Sequence, residues 1–270
     1  MMTAGAQHIE AAIRRRHESG QPALAAFFTA GYPAGDDLAE TFQTTLARIG
    51  EVADVVEIGV PFSDPMADGM TLQRAAHSAL EAGVTLRWIL AQLKARPSRD
   101  TPVVLMSYLN PLFSLGFEAL AAEAAEAGVD GFIVPDLPLE ESDEMLAALK
   151  PHGLALIQLV SPLTPADRAA RIAESSGGFL YAVTAPGTTG GQLQAGGDLL
   201  GYLDTLRAKS PVPIMAGFGI RTSAQVDQLA PHAHGVIVGT ALVETLESGA
   251  DPRPMLESLR PGLHGVAVSK

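Results

Sequence analysis

The chain has 270 residues, of which 47% are hydrophobic, with a formal charge of −12 and no cysteine. The acidic balance, without a long lysine- or arginine-rich run, argues against nucleic acid and anionic membranes as partners, and the missing cysteines exclude disulfides, thiolate catalysis and cysteine-ligated zinc. No apolar run reaches a membrane span and the N-terminus lacks a signal-peptide core, so a cytoplasmic location is expected.

Residues 7–18 carry Ile9 and Ile13 four apart, with basic residues toward the end, the charge order a helix dipole favours. Gly20-Gln21-Pro22 stops this helix. Strand 23–29 follows, closed by Gly31-Tyr32-Pro33, then helix 37–49 with Leu38, Phe42, Leu46 and Ile49 on one face. A short β-branched run, 53–58, reads as a buried strand, and two helices, 71–81 and 85–96, are split by Ala82-Gly83. Strand 102–106 leads into what reads as a loop through Asn110-Pro111 to Gly116, and helix 117–127 stops at Gly128. The pattern repeats with strand 131–134, helix 140–149, strand 154–160, helix 165–175 and strand 178–183. After a long loop come helix 198–209, strand 213–216, helix 223–229, strand 235–238 and a closing helix from Thr240. His232 and His234 flank one alanine in the loop before the last strand, with a metal pair as the less favoured reading.

Eight strands alternating with helices predict parallel pairing with helical crossovers. Eight units in 270 residues favour a closed (β/α)8 barrel, a single domain over residues 1–270 with 1–20 as an extra N-terminal helix and arm. A doubly wound open sheet is the alternative. In a barrel the chemistry sits on the loops after the strands. Glu57, read as the last inward residue of a buried apolar strand, is costly unless used, with a structural core-lining glutamate as the alternative, and the loop after it carries Asp64 and Asp68. Gly217 and Gly219 follow strand seven, and Gly239 and Thr240 follow strand eight, where backbone amides can hold a phosphate. Glycines also serve tight turns on geometry alone.

Residues 57–69 (Glu57-Ile58-Gly59-Val60-Pro61-Phe62-Ser63-Asp64-Pro65-Met66-Ala67-Asp68-Gly69) resemble the signature of the tryptophan synthase alpha subunit family. Three further stretches support the resemblance: Phe27-Phe28-Thr29-Ala30-Gly31-Tyr32-Pro33, Ile133-Val134-Pro135-Asp136-Leu137-Pro138-Leu139-Glu140-Glu141 and Gly217-Phe218-Gly219-Ile220. The similarity runs in order from Ala23 to Leu246, nearly the whole barrel.

The resemblance implies a lyase of tryptophan biosynthesis that cleaves indole-3-glycerol phosphate to indole and glyceraldehyde 3-phosphate, a retro-aldol step with no metal and no organic cofactor. Glu57 matches the family's catalytic acid-base, and Asp68 the aspartate that accepts a hydrogen bond from the indole N–H. Tyr181 matches a tyrosine beside the glutamate, and Phe27 an aromatic wall for the indole, although both would also serve as barrel filling. Asp136 matches a supporting loop aspartate. Thr189, followed by Gly190, matches the threonine of a lid. The beta subunit of an alpha2-beta2 complex is the implied partner, through residues 61–65 (Pro61-Phe62-Ser63-Asp64-Pro65) and 110–116 (Asn110-Pro111-Leu112-Phe113-Ser114-Leu115-Gly116).

Three departures stand out. Thr240 replaces the usual serine. The lid, 185–192, lacks the usual valine before its threonine and the basic residue after it, and Pro186 restricts Ala185. A free-standing lyase releasing indole to another pathway is therefore an alternative, as is a regulatory barrel that has lost catalysis. A sugar-phosphate isomerase on a related barrel fits the acidic loop poorly.

Overall fold

In a computed structural model, which describes residues 2–183, 197–217 and 219–260, eight parallel strands pair in sequence order and close into a barrel. The chain opens with α1 (Ala4–Glu18), β1 (Ala23–Thr29), α2 (Leu38–Gly50) and β2 (Val55–Gly59). Next come α3 (Met70–Glu81), α4 (Leu86–Ala95), β3 (Val103–Met106), α5 (Leu109–Leu115) and α6 (Phe117–Ala127). The middle holds β4 (Gly131–Ile133), α7 (Asp143–Leu149), β5 (Ala155–Val160), α8 (Ala166–Ser175) and β6 (Leu180–Val183). The last quarter is α9 (Gly197–Lys209), β7 (Ile214–Gly217), α10 (Ser223–Leu229), β8 (Gly235–Val238), α11 (Thr240–Glu247) and α12 (Pro252–Ser258). Closure is made by β1 against β8, with Ala23 opposite Gly235.

Side-chain alternation along the strands divides the core in two. Facing inward, Ala25, Val55, Val104, Ile133, Ile157, Met215 and Ile237 form one buried cluster with Ala6, Ile9 and Ile13 of α1. The N-terminal helix therefore plugs one mouth of the barrel. Facing outward, Phe28, Ile58, Leu105 and Phe132 pack against Phe42, Leu46, Ile89, Leu93 and Leu120 of the surrounding helices. Each such side chain contributes on the order of 1.5–3 kcal/mol relative to exposure. The plug helix starts a turn earlier than its hydrophobic spacing predicts, because Thr3 caps it by accepting from the Ala6 amide at 3.2 Å.

One expectation fails. Residues 110–116 are not an exposed loop: they fall in α5 and its glycine cap, Gly116. Pro111 lies in the first turn, where a missing N–H does no harm. The helix start is held from a different loop, since Asp136 Oδ1 accepts from the Leu109 amide at 2.9 Å. Leu112 is wholly buried in the outer core, while Phe113 is 62% exposed. The helix predicted over 140–149 also divides, into a 3₁₀ turn at Leu139–Glu141 and α7.

The histidine pair is structural. His232 sits 2.8 Å from Asp204, and His234 Nδ1 accepts from the Ile214 amide at 3.0 Å. Burial, with the nearby His17 and Arg207, holds the His234 ring neutral, its pKa pushed down to about 4. No described helix is long and apolar enough to cross a membrane.

Candidate active site

Glu57 lies mid-strand in β2 and not as its last inward residue, because the strand runs on to Gly59; it is in register with Phe27 of β1 and Val104 of β3. It is 1% exposed, and its Oε2 has no hydrogen-bond partner among the described residues. Burial is the main reason its carboxyl is pushed up to about 8, with the Asp68 charge adding to it. Two residues on, Gly59 is the next inward position. A Cβ there would come within 2.5 Å of the Phe27 ring, so the glycine lets that ring lie across the barrel mouth.

Asp68 is brought in by the loop between β2 and α3. Tyr108, at the N-cap of α5, donates from its hydroxyl to Asp68 Oδ2 at 3.3 Å and accepts from the Ala67 amide at 2.8 Å. Its ring packs against Phe62 with centroids 5.2 Å apart. Burial raises the Asp68 carboxyl, and the Tyr108 hydrogen bond opposes the rise. Tyr108 is the pocket residue that sequence reasoning passed over. The signal was there, an aromatic two residues past the end of a barrel strand, but its carboxylate partner is 40 residues away.

Tyr181 points inward from β6 and is 5% exposed. Burial first, then the charges of Glu57 and Asp68, hold its hydroxyl far above the usual range. Gly217 fits beneath it, since a Cβ at that position would meet the Tyr181 ring at 2.5 Å. Beyond it, Gly219 has φ +78°, a conformation that suits glycine. Gly239 is the N-cap of α11, and Thr240 is its first residue. The opening amides of a helix lack internal partners and favour an anion.

These groups converge. A hollow of about 410 Å³ is lined by Phe27, Glu57, Asp68, Tyr181, Gly219 and Thr240, with Gly239 also on its wall. A second hollow of about 380 Å³ holds Phe62, Tyr108 and Pro135, and shares Phe27, Asp68, Leu72 and Met106 with the first. Together they form one bipartite pocket on the side of the barrel away from α1. Asp136 stands behind it and fixes α5. Thr189, Gly190 and the rest of the predicted lid lie outside the described residues. Among the described residues, no group of three or more His, Asp or Glu could hold a metal ion.

A family profile described as tryptophan synthase alpha chain matches residues 13–261. This chain belongs to the tryptophan synthase alpha chain family. A tryptophan synthase alpha chain from Desulfovibrio desulfuricans is 44% identical over 245 residues, covering 89% of this chain and 94% of that one. One from Oceanobacillus iheyensis is 39% identical, covering 91% and 93%. Among solved structures, Mycobacterium tuberculosis tryptophan synthase superposes with a TM-score of 0.85 at 35% identity, over 96% of this chain and 97% of that one. A Legionella pneumophila tryptophan synthase alpha chain gives 0.82 at 33% identity, covering 96% of each. The barrel expected from the sequence is the family's barrel, and the chain is a carbon–carbon lyase of the tryptophan synthase alpha type.

Proposed function

We propose that this chain cleaves indole-3-glycerol phosphate to indole and glyceraldehyde 3-phosphate, with Glu57 as the acid-base and Asp68 as its electrostatic partner. The observation that carries this reading is the buried Glu57, its pKa pushed up to about 8, sharing one hollow with Asp68 and the start of α11. At neutral pH Glu57 holds a proton that it can give to indole C3. The resulting carboxylate then takes the proton of the glycerol hydroxyl as the carbon–carbon bond breaks, which releases the aldehyde and regenerates the acid. As C3 is protonated the indole N–H becomes more acidic, and a hydrogen bond to Asp68 strengthens most in the transition state. The phosphate is assigned to Gly219, Gly239 and Thr240, with Phe27 against the indole and Tyr181 beside Glu57. Gly217 makes room for Tyr181, and Thr189 with Gly190 completes the site as a lid.

The same reading gives the chain a beta subunit that consumes the indole. Residues 61–65 and the exposed Phe113 of α5 are the proposed contact. Glu57→Gln keeps the shape and removes the proton. It should fold and bind ligand while indole release falls at least ~100-fold. Near-normal turnover would remove Glu57 from the role.

A further inference from the structure

We propose that Arg221 and Glu244 are positioning residues of the lyase reaction: their ion pair fixes the spacing of the two turns to which the phosphate is assigned above. The inference rests on that assignment. Gly219, in the turn between β7 and α10, and Thr240, the first residue of α11, both line the hollow that holds Glu57. Arg221 comes two residues after Gly219, and Glu244 four residues, about one helical turn, after Thr240. Their side chains meet as a fork, Nη1 to Oε2 at 2.6 Å and Nη2 to Oε1 at 3.0 Å. Two parallel charge-assisted bonds set orientation as well as distance. Gly219, Gly239 and Thr240 bring no charged side chain. They hold a phosphate through amides and one hydroxyl, and such a cradle depends on how its parts are spaced.

The link is stiff at both ends. Gln225 Nε2 donates to the Gly219 carbonyl at 3.2 Å, and its Oε1 accepts from the Arg221 amide at 2.7 Å and the Thr222 amide at 3.1 Å. One side chain thus ties Gly219 to Arg221, so a shift of Arg221 reaches the glycine. At the other end, Val243 of α11 is buried in a small apolar cluster with Phe27 and with Leu72 and Ala75 of α3. The hydrogen bond from Arg221 is the main reason the Glu244 carboxyl is held below its ordinary value. The competing role is that of an ordinary surface ion pair. The two side chains are 40% and 38% exposed, so the pair contributes little to folding, and its effect belongs in ligand affinity.

Inhibition of indole formation by inorganic phosphate, together with steady-state kinetics and urea midpoints of the full chain, tests this. Glu244→Gln and Arg221→Met should each raise the phosphate Ki and the KM for indole-3-glycerol phosphate about fivefold. The change in kcat should be smaller, and the urea midpoints close to wild type. The double variant should be no worse than either single one, because the same link is lost in all three. Thr240→Val controls for the phosphate assignment and should also raise the Ki. If it does not, the assignment falls and the positioning role with it. If it does while Glu244→Gln and Arg221→Met keep the wild-type Ki, the assignment stands and the positioning role alone is overturned. A lower Ki in Glu244→Gln with a higher one in Arg221→Met would make Arg221 a direct phosphate ligand and overturn the positioning role as well. Lower urea midpoints with KM and Ki unchanged would assign the pair to folding.

Discussion

A carboxyl buried as deeply as Glu57 keeps its proton in the folded chain over a range where the unfolded chain has lost it. The folded value is about 8 against 4.5 for the free side chain. Between these limits the folded state binds more protons, so the Glu57 contribution to stability declines as pH rises from 4.5 toward 8 and is constant above that. Glu57→Gln lacks the slope. Its advantage over the wild type should grow to a few kcal/mol by pH 8, read from urea midpoints at pH 5, 6.5 and 8. Parallel profiles would mean the carboxyl titrates normally. The proposed proton donation makes a second demand: kcat/KM should fall above about pH 8, as the acid form is depleted. Glu57 and Asp68 were legible in the sequence because charge is conspicuous in an apolar strand and its loop. Gly59 and Tyr108 were not, since one acts by leaving room for Phe27 and the other by reaching a distant carboxylate.

The element that sequence reasoning misread is α5. Its local signals, Asn110-Pro111 and a short apolar cluster, describe a turn, and the group that stabilises its first amide arrives from the next βα loop. Period and propensity cannot register a cap supplied from outside the segment. The helix puts two neighbouring residues in opposite environments, Leu112 in the core and Phe113 at the surface. Leu112→Ala should cost about 2–5 kcal/mol of stability, as a cavity in a packed core, measured by urea unfolding. Phe113→Asp should leave stability nearly unchanged, because Phe113 is mostly exposed and rests edge-on against Phe117 at 5.9 Å. With a beta subunit present, the same Phe113→Asp chain should show weaker association by a few kcal/mol in light scattering. Association equal to wild type would take α5 out of the interface.

At the scale of the whole molecule, the alternation of strands and helices made the barrel readable, because short apolar runs, buried on both faces in the strands, alternate eight times with stretches of helical period. What sits inside the barrel was less legible. Ile9 and Ile13 were visible as one face of a helix, but nothing local says that this face enters the mouth between the strands. Both are fully buried. Ile9→Ala and Ile13→Ala should each cost about 2–5 kcal/mol, seen in denaturant midpoints, with kcat unchanged because the plug lies opposite the pocket. Unaltered midpoints would make α1 an accessory. The closure of β1 on β8 also bears on how the chain is made. Ala23 pairs with Gly235, which is synthesised 235 − 23 = 212 residues later. At the usual pace of a ribosome that interval is roughly 10–40 s. Throughout it β1, every residue of which is buried in the finished protein, has one edge without a neighbour. The nascent chain, and not the folded lyase, is thus the form most exposed to aggregation.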